Sequence, residues 1–211
     1  GWEGTLLESG TIKLKRVKSF RPQKHTESAQ IEVFNNLFMS IAEQMGFVLE
    51  KTAQSITIKE RLDFSCAIFD KGGELVANAP HMPVHLGSMD STVKSVINNN
   101  STLSPGDLFA INAPYNGGTH LPDITIVNPI WNSEKSEIIF YTAARGHHTD
   151  IGGLTPGSMP CNSKDIHEEG IYIDNWKIVD NGIFREEEIK NKLLSGPYPA
   201  RSPLTLSLIH I

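Results

Sequence analysis

The stretch NAPYNGGTHLPDITIVNPIWNSEKSEIIFYTAARGHHTDIGG, from Asn112 to Gly153, decides how this chain is organised. Two apolar runs, Ile124–Ile130 and Ile138–Ala143, are separated by a polar segment. This is the pattern of two strands with a loop between them. An antiparallel pair of this kind places the residues before its first strand beside the residues after its second.

Side chains that can act in catalysis or metal binding lie at the open end of this predicted hairpin, on both of its chain segments. His120 and Asp123 precede the first strand, and His147, His148 and Asp150 follow the second. The proline inside HLPD favours an extended, polyproline-like segment, in which side chains three residues apart point the same way. Two imidazoles and one carboxylate on convergent loops can hold a divalent metal ion with open positions for water or substrate.

Each of these histidines, taken alone, is more often a hydrogen-bonded loop residue than a metal ligand. The surrounding glycines favour a site, because glycine admits positive φ and close backbone approach. They are Gly117, Gly118, Gly146, Gly152 and Gly153. The choice between His147 and His148 stays open here, since neighbours in an extended chain face opposite sides and Gly146 can bend the strand.

Composition limits the class of protein. The 211 residues suffice for one domain or part of a larger one, and the formal charge of −5 argues against a nucleic-acid footprint. No apolar run approaches the roughly 20 residues of a membrane span, and no signal peptide is visible. Cys66 and Cys161 lie in unrelated contexts, so neither a disulfide framework nor a cysteine zinc site is indicated. A reducing, cytoplasmic setting fits these features.

The remaining pattern predicts an α+β fold with a mixed, mostly antiparallel sheet and a few packed helices. The metal site would then lie on loops at hairpin ends. After Ser28, apolar residues recur at helical spacing from Ile31 to Met45 and predict a core-facing helix that ends near Gly46. Further strands are predicted at Phe64–Phe69, Glu74–Asn78, Asp107–Asn112, Ile171–Ile173 and Lys177–Val179, and further helices at Ser88–Asn100 and Arg185–Leu194.

His81 and His85 form an HxxxH pattern, which would be a ligand pair on a helix. Pro80 and Pro83 make a helix improbable there, which argues against a zincin-like site. The two histidines are predicted to line a substrate pocket or to form loop hydrogen bonds. Asp63, Glu168 and Glu169 are candidate general bases, and each is more often an ordinary solvated carboxylate. No GxxxxGK[ST] phosphate loop occurs, so this piece should not bind ATP alone.

Three longer runs carry a family resemblance. They are RLDFSCAIFDKGGELVANAPHMPVHLGSM (61–89), GDLFAINAPYNGGTHLPDITIV (106–127) and ARGHHTDIGGLTPGSMP (144–160). They closely resemble the hydantoinase B family, which comprises the B half of ATP-dependent hydantoinases, the matching part of 5-oxoprolinases and a subunit of acetone carboxylase. The resemblance extends from about Ser28 to Arg201.

The resemblance implies a ligand set, because the family holds its metal by the HLPD motif and the first His of a later GH(H/W) motif. Those positions are His120, Asp123 and His147 here. Asp150 would orient an imidazole, or form an Asx turn before the glycines, and His148 is a further catalytic candidate. The ion implied is Mn²⁺ first, with Zn²⁺, Fe²⁺ or Mg²⁺ as alternatives.

The run NAPYNGG has Ala113 and Asn116 where many family members carry an Asp and a His. This form is typical of bacterial 5-oxoprolinases and implies ATP-dependent hydrolysis of 5-oxo-L-proline to L-glutamate, a step of glutathione metabolism. Asn116 would then contact substrate, or take a left-handed turn conformation. The alternatives are an N-methylhydantoinase or acetone-carboxylase subunit, and a metal-free scaffold that completes the kinase-like half.

The resemblance also divides the chain. Residues 1–25, with a short hairpin over Gly1–Arg16 turning at residues 8–10, resemble the tail of a preceding A-like half plus a linker. Residues 26–203 resemble the N-terminal part of a B domain, and residues 204–211 match nothing in the family and look artefactual or disordered. The expected partners are the ATP-using A half and a small cyclic amide, in an oligomer of a larger protein of which this is a fragment.

Overall fold

The computed structural model describes residues 2–7, 12–16, 27–157 and 159–203. Their elements, in chain order, are β1 (Trp2–Leu6), β2 (Ile12–Arg16), α1 (Glu27–Thr52), α2 (Ile56–Lys59), β3 (Phe64–Asp70), β4 (Leu75–Asn78), α3 (Pro83–Asn99), β5 (Leu108–Ile111), β6 (Asp123–Trp131), β7 (Ile138–His147), β8 (Trp176–Asp180), β9 (Ile183–Phe184) and α4 (Glu186–Leu194). No helix in these ranges is long and apolar enough to cross a membrane.

The chain divides into two units, Gly1–Phe34 and Asn35–Ile211. In the first, β1 and β2 pair antiparallel, which confirms the hairpin predicted near the start of the chain. The predicted turn of that hairpin, the predicted linker up to residue 25 and the tail 204–211 lie outside the described residues.

The second unit is built on a seven-stranded sheet in the order β4-β3-β7-β6-β5-β8-β9. Every described strand pair in it is antiparallel, which confirms the predicted fold class. The central pair, β6 and β7, is the hairpin predicted from the apolar runs. Its register places Asp123 opposite His147 at one end and Trp131 opposite Ile138 at the other.

The two faces of the sheet are covered differently. On one face, α3 packs Met89, Val93 and Val96 against inward residues of β3, β5, β6 and β7. On the other face, α4 covers a cluster around Ile126 and Ile178. The C-terminal part of α1 covers a smaller cluster that includes Phe64, Cys66 and Ala144. The sheet is therefore a central layer, and the β6–β7 hairpin at its middle is rigidly placed.

The prediction that α1 turns its apolar stripe into the core is wrong for most of that stripe. Leu37 is 52% exposed and Ile41 38% exposed, and Ile31 and Phe34 are exposed as well. The helix also runs through Gly46 to Thr52 instead of ending there. Its buried residues, Ala42, Gly46 and Leu49, belong to its second half, and Phe38 is half-buried against Phe140 of β7, with ring centroids 5.2 Å apart.

Gly46 is needed for a close approach, not for a helix end. A Cβ at this position would lie 2.3 Å from His81 Nε2, so a larger residue would push the loop before α3 away from α1. The ring of His81 also packs against Phe64, with centroids 4.8 Å apart. Contact at this glycine therefore fixes the start of β3 beneath α1.

Two further local predictions are wrong. Helix α3 begins at Pro83, five residues before the predicted start, because proline is well tolerated in the first turn of a helix. His85 therefore lies on a helix, although His81 precedes it. Ile171–Ile173 is not a strand; its backbone instead bonds to the Asn112 side chain, which accepts from Ile173 N at 2.7 Å.

Asp107 holds the start of β5 against β8, and its removal should be costly. This buried carboxylate accepts hydrogen bonds from Ser104 N and Asn181 N at 2.9 Å and contacts Lys177 Nζ at 2.9 Å. Asp107→Ala leaves both amides without an acceptor, so we expect the free energy of unfolding, measured in urea, to fall by about 3 kcal/mol. Asp180→Ala, which removes the other carboxylate near Lys177 at 3.3 Å, is the control. Equal losses in both variants would refute this role.

Candidate metal centre

Asp123 and His147 meet because they are opposite each other in the β6–β7 register. Asp123 is the first residue of β6 and His147 the last of β7. His147 Nδ1 lies 2.7 Å from Asp123 Oδ1, and Thr119 Oγ1 donates to Asp123 Oδ2 at 3.0 Å. The hairpin thus converts a separation of 24 residues into direct contact, as its pattern predicts.

His120 joins this pair through a turn. Asp123 N donates to His120 O at 2.8 Å, so HLPD is a hydrogen-bonded turn and not the extended segment predicted from its proline. The turn nevertheless brings the two side chains together. The rings of His120 and His147 lie 5.4 Å apart, and the ligand atoms of His120, Asp123 and His147 are all within 4.8 Å of one another.

The loop that carries His120 is anchored on both sides. The Asn112 amide donates to Leu121 O and Ile171 O at 2.8 Å. Gly117 has a φ of 90°, and a Cβ there would lie 2.3 Å from Thr92 N on α3. Glycine is therefore required at this position for both conformation and space, as the predicted role of the flanking glycines suggests.

The structure separates His147 from His148. His147 faces the cluster, whereas His148 is fully buried and its Nδ1 lies 3.2 Å from Pro122 O. His148 N also donates to Pro122 O at 2.9 Å. Burial lowers the pKa of His148 to about 4. The ring is therefore neutral and enclosed, and it holds the turn between His120 and Asp123, so the predicted catalytic role of His148 stays a prediction.

The surroundings of Asp123 and His147 favour the charged form of each side chain. Burial pushes the pKa of Asp123 up, but the hydrogen bond to His147 and the neighbouring imidazoles of His147 and His85 outweigh it and hold the pKa below its usual value. The hydrogen bond to Asp123 raises the pKa of His147 above its ordinary value, against the opposing effect of burial. The carboxylate is thus ionised at neutral pH, the state that a metal ligand needs.

Asp63 and His85 extend the cluster on the side of α3. His85 Nε2 lies 3.5 Å from Asp63 Oδ1 and 3.9 Å from Asp123 Oδ1. Burial lowers the pKa of His85, so the ring is neutral near pH 7. Its Nδ1 is buried without a hydrogen-bond partner in the described part of the chain. The ring proton is therefore best placed on Nε2, where it faces two carboxylates.

Arg145 lies beneath the cluster and could not be recognised from the sequence pattern. It is fully buried on β7 and donates five hydrogen bonds. The acceptors are Thr125 Oγ1, Ser88 Oγ, Thr92 Oγ1, His85 O and Gly117 O, at 2.6 to 3.1 Å. Burial lowers the pKa of Arg145 to about 10, which leaves it charged at neutral pH. This one side chain ties the glycine loop and α3 to the hairpin.

Asp150 does not orient an imidazole. Its Oδ1 accepts from Gly152 N and from Arg201 Nη1, both at 3.0 Å, and its Oδ2 accepts from Arg201 N at 2.8 Å. The Asx-turn alternative is therefore the one observed, and the predicted catalytic role of Asp150 loses its geometric basis. Arg201 completes this link between the segment after β7 and the end of the described chain.

The three residues predicted to contact substrate, His81, His85 and Asn116, lie in different places. His85 lies at the cluster, whereas His81 Nδ1 accepts from Cys66 N at 3.1 Å and its ring contacts α1. The Asn116 amide donates to both oxygens of Asp174 at 2.8 and 3.0 Å. Asn116 belongs to a 3₁₀ turn, and the left-handed conformation falls to Gly117 instead. Substrate contact by Asn116 stays a prediction.

Residues 27–205 match the family described as Hydantoinase B/oxoprolinase, which covers most of the chain and includes every residue of the cluster. The chain belongs to this family. It is 53% identical over 197 residues to 5-oxoprolinase 1 of Arabidopsis thaliana, covering 91% of the chain and 15% of that protein. It is 51% identical over 175 residues to 5-oxoprolinase of Saccharomyces cerevisiae, covering 82% and 14%.

A solved family structure shares the fold. The crystal structure of ATP-dependent caprolactamase from Pseudomonas jessenii superposes with a TM-score of 0.75 at 27% identity, covering 89% of this chain and 32% of that one. The chain thus spans about a seventh of the length of the two oxoprolinases and a third of the caprolactamase chain.

The donor set of the oxoprolinase-family cluster fits a divalent ion. Two imidazole nitrogens and a carboxylate form a mixed nitrogen and oxygen site. Such sites accept Mn²⁺, Fe²⁺ or Zn²⁺, and their ligand atoms must converge on one point. The 4.8 Å limit on the mutual distances of His120, Asp123 and His147 meets that requirement.

Proposed function

We propose that this chain supplies the metal-dependent half of an ATP-dependent lactam hydrolase acting on 5-oxo-L-proline. The observation that carries the proposal is the convergence of His120, Asp123 and His147 at the end of the central hairpin. Relatives at just over 50% identity are named 5-oxoprolinases, and the structural relative is named an ATP-dependent caprolactamase. Both names denote the opening of a cyclic amide.

The three converging residues would hold the ion, Mn²⁺ by family likeness. A bound divalent ion supplies Lewis-acid polarisation of an oxygen and lowers the pKa of a water molecule towards neutrality. His85, neutral and facing Asp63 and Asp123, would fix the orientation of both carboxylates. His148, bonded to Pro122 O, would hold the turn that sets the spacing of His120 and Asp123.

The activation step is assigned to a partner half. No GxxxxGK[ST] phosphate loop occurs in the sequence. ATP would therefore be used by a kinase-like A half, fused or separate, which would phosphorylate the lactam carbonyl oxygen. Residues of this chain would present water to the activated carbonyl carbon. The scaffold alternative differs in one respect, because it needs no ion at the cluster.

Replacing His120 in the complete enzyme, with its kinase-like half, tests the proposal. We expect His120→Ala to lose lactam hydrolysis by at least about a hundredfold, because a ligand of the ion is removed, while ATP consumption remains. Steady-state assays of L-glutamate and ADP release measure the two activities. His167→Ala is the control, since His167 contacts Tyr172 and is not part of the cluster. Unchanged hydrolysis in His120→Ala would favour the scaffold alternative.

A further inference from the structure

Arg61 is an arginine without an acceptor beside the metal cluster. Each of the other arginines between residues 35 and 203, which are Arg145, Arg185 and Arg201, donates hydrogen bonds to acceptors of the protein. Arg61 is exposed and forms no ion pair or side-chain hydrogen bond within the described part of the chain. Its five N–H groups are therefore free to bind an anionic ligand.

The backbone that carries Arg61 is fixed to a candidate ligand. Leu62, between Arg61 and Asp63, has a φ of 54°, in the left-handed region that a leucine adopts only where its neighbours enforce it. Asp63 N donates to Thr57 O at 3.0 Å, and Asp63 O accepts from His147 N at 2.9 Å. Arg61 thus lies in a strained turn, two residues before Asp63, which is hydrogen-bonded directly to His147.

Arg61 stays close to the cluster because the chain between them is short. One residue, Leu62, separates Arg61 from Asp63, and the carbonyl of Asp63 accepts from His147 N at 2.9 Å. An anion bound by Arg61 would therefore lie next to the cluster and not on a remote surface.

A groove of about 360 Å³ adjoins Arg61 and is large enough for a small ring. Its walls include Glu43, Phe47, Glu50, Leu62 and His81. Glu50 contacts Lys51 at 2.7 Å, and neither Glu50 nor Glu43 forms an ion pair with Arg61 in the described part of the chain. The positive charge of Arg61 is thus not paired with either acidic residue of the groove.

We infer that Arg61 binds the ring carboxylate of a carboxylated lactam whose amide reacts at the His120–Asp123–His147 cluster. This inference rests on the proposed function and adds the group that selects an anionic lactam over a neutral one. A planar guanidinium can form two parallel hydrogen bonds to a carboxylate, which gives orientation as well as affinity. A lactam without a carboxylate gains nothing from Arg61.

Binding of two lactams to the metal-loaded complete enzyme tests this assignment. The probes are 5-oxo-L-proline and 2-pyrrolidone, the same ring without the carboxylate, titrated calorimetrically against wild type, Arg61→Gln and Arg61→Lys. We expect Arg61→Gln to weaken 5-oxo-L-proline binding about tenfold to a hundredfold and to change 2-pyrrolidone binding less than about twofold. Arg61→Lys should fall between, because it keeps the charge but not the planar fork. The KM for 5-oxo-L-proline should rise in parallel, with metal content unchanged.

Each other result has a defined meaning. Arg185→Gln removes an arginine that is bonded to Glu188 and should leave both lactams unaffected. Unchanged 5-oxo-L-proline binding in Arg61→Gln overturns the carboxylate assignment but leaves the proposed function standing. Unchanged binding with equal loss of turnover on both lactams also overturns it, and would assign Arg61 to the phosphoryl group of the activated lactam. If wild type binds no 5-oxo-L-proline, the proposed substrate fails and this inference fails with it.

Discussion

His147→Ala is expected to abolish stoichiometric binding of a divalent ion. His147 lies opposite Asp123 in the hairpin register, with Nδ1 2.7 Å from the carboxylate, so its loss removes one proposed ligand and the hydrogen-bond partner of another. We expect the affinity for the metal ion to fall by more than about 10–100-fold, which is the loss typical of replacing a residue that only orients a ligand. Dialysis of the complete enzyme against Mn²⁺ or Zn²⁺, followed by metal analysis, measures the change.

The neighbouring histidine provides the matched comparison. His148 acts through Pro122 and should change metal affinity only about 10–100-fold when replaced. His148→Asn is preferable to His148→Ala, because an amide N–H can still donate to Pro122 O and leaves a smaller cavity. Equal losses of bound metal in the His147 and His148 variants would show that the ligand is wrongly assigned to His147.

The central hairpin could be predicted because its signal is local. Two apolar runs of strand length and a polar loop between them determine the pairing of β6 with β7, and the pairing brings His120, Asp123 and His147 together. The residue pattern alone left the choice between His147 and His148 open, whereas the family resemblance implied His147, and the structure places His147 in the cluster. Asp123 and His147 are directly opposed only when β7 continues through Gly146, and strand parity in the sequence does not determine whether it does.

The other half of the site could not be predicted because its contacts are not local. His85 reaches Asp63 and Asp123 only because α3 begins at Pro83 and crosses the sheet face beside β7. The exposure of the apolar residues of α1 could not be predicted for the same reason. Helical spacing of Leu37 and Ile41 predicts an amphipathic helix, but spacing does not show which part of the helix reaches a partner in this chain.

Arg145 shows the same limit most clearly. In the run IIFYTAARG it reads as the polar end of a strand, where a charged residue usually faces water. Five acceptors from three separate segments make its burial possible, and none of them is near it in sequence. A buried charge without a carboxylate in contact is tolerated only when hydrogen bonds satisfy it fully.

Arg145→Met should therefore be strongly destabilising. Methionine fills much of the volume but removes five hydrogen bonds, each contributing about 0.5–1.5 kcal/mol, so we expect the free energy of unfolding, measured in urea, to fall by roughly 3–7 kcal/mol. Lys190→Met on α4 removes a half-buried cation paired with Glu186 and should cause no measurable change.

A second measurement separates anchoring of the site from general stability. Gly118 N donates to Ala113 O at 2.8 Å within the loop that Arg145 holds through Gly117 O. Arg145→Lys keeps the charge but has too few donors for all five acceptors, so hydrogen exchange at Gly118 should accelerate even where the protein remains folded. Metal affinity should fall in the same variant, because the loop leads into His120. Wild-type exchange at Gly118 and wild-type metal affinity in Arg145→Lys would show that the loop is held without Arg145, by its glycines, Asn112 and the Thr92 hydroxyl, which donates to Gly117 O at 2.7 Å.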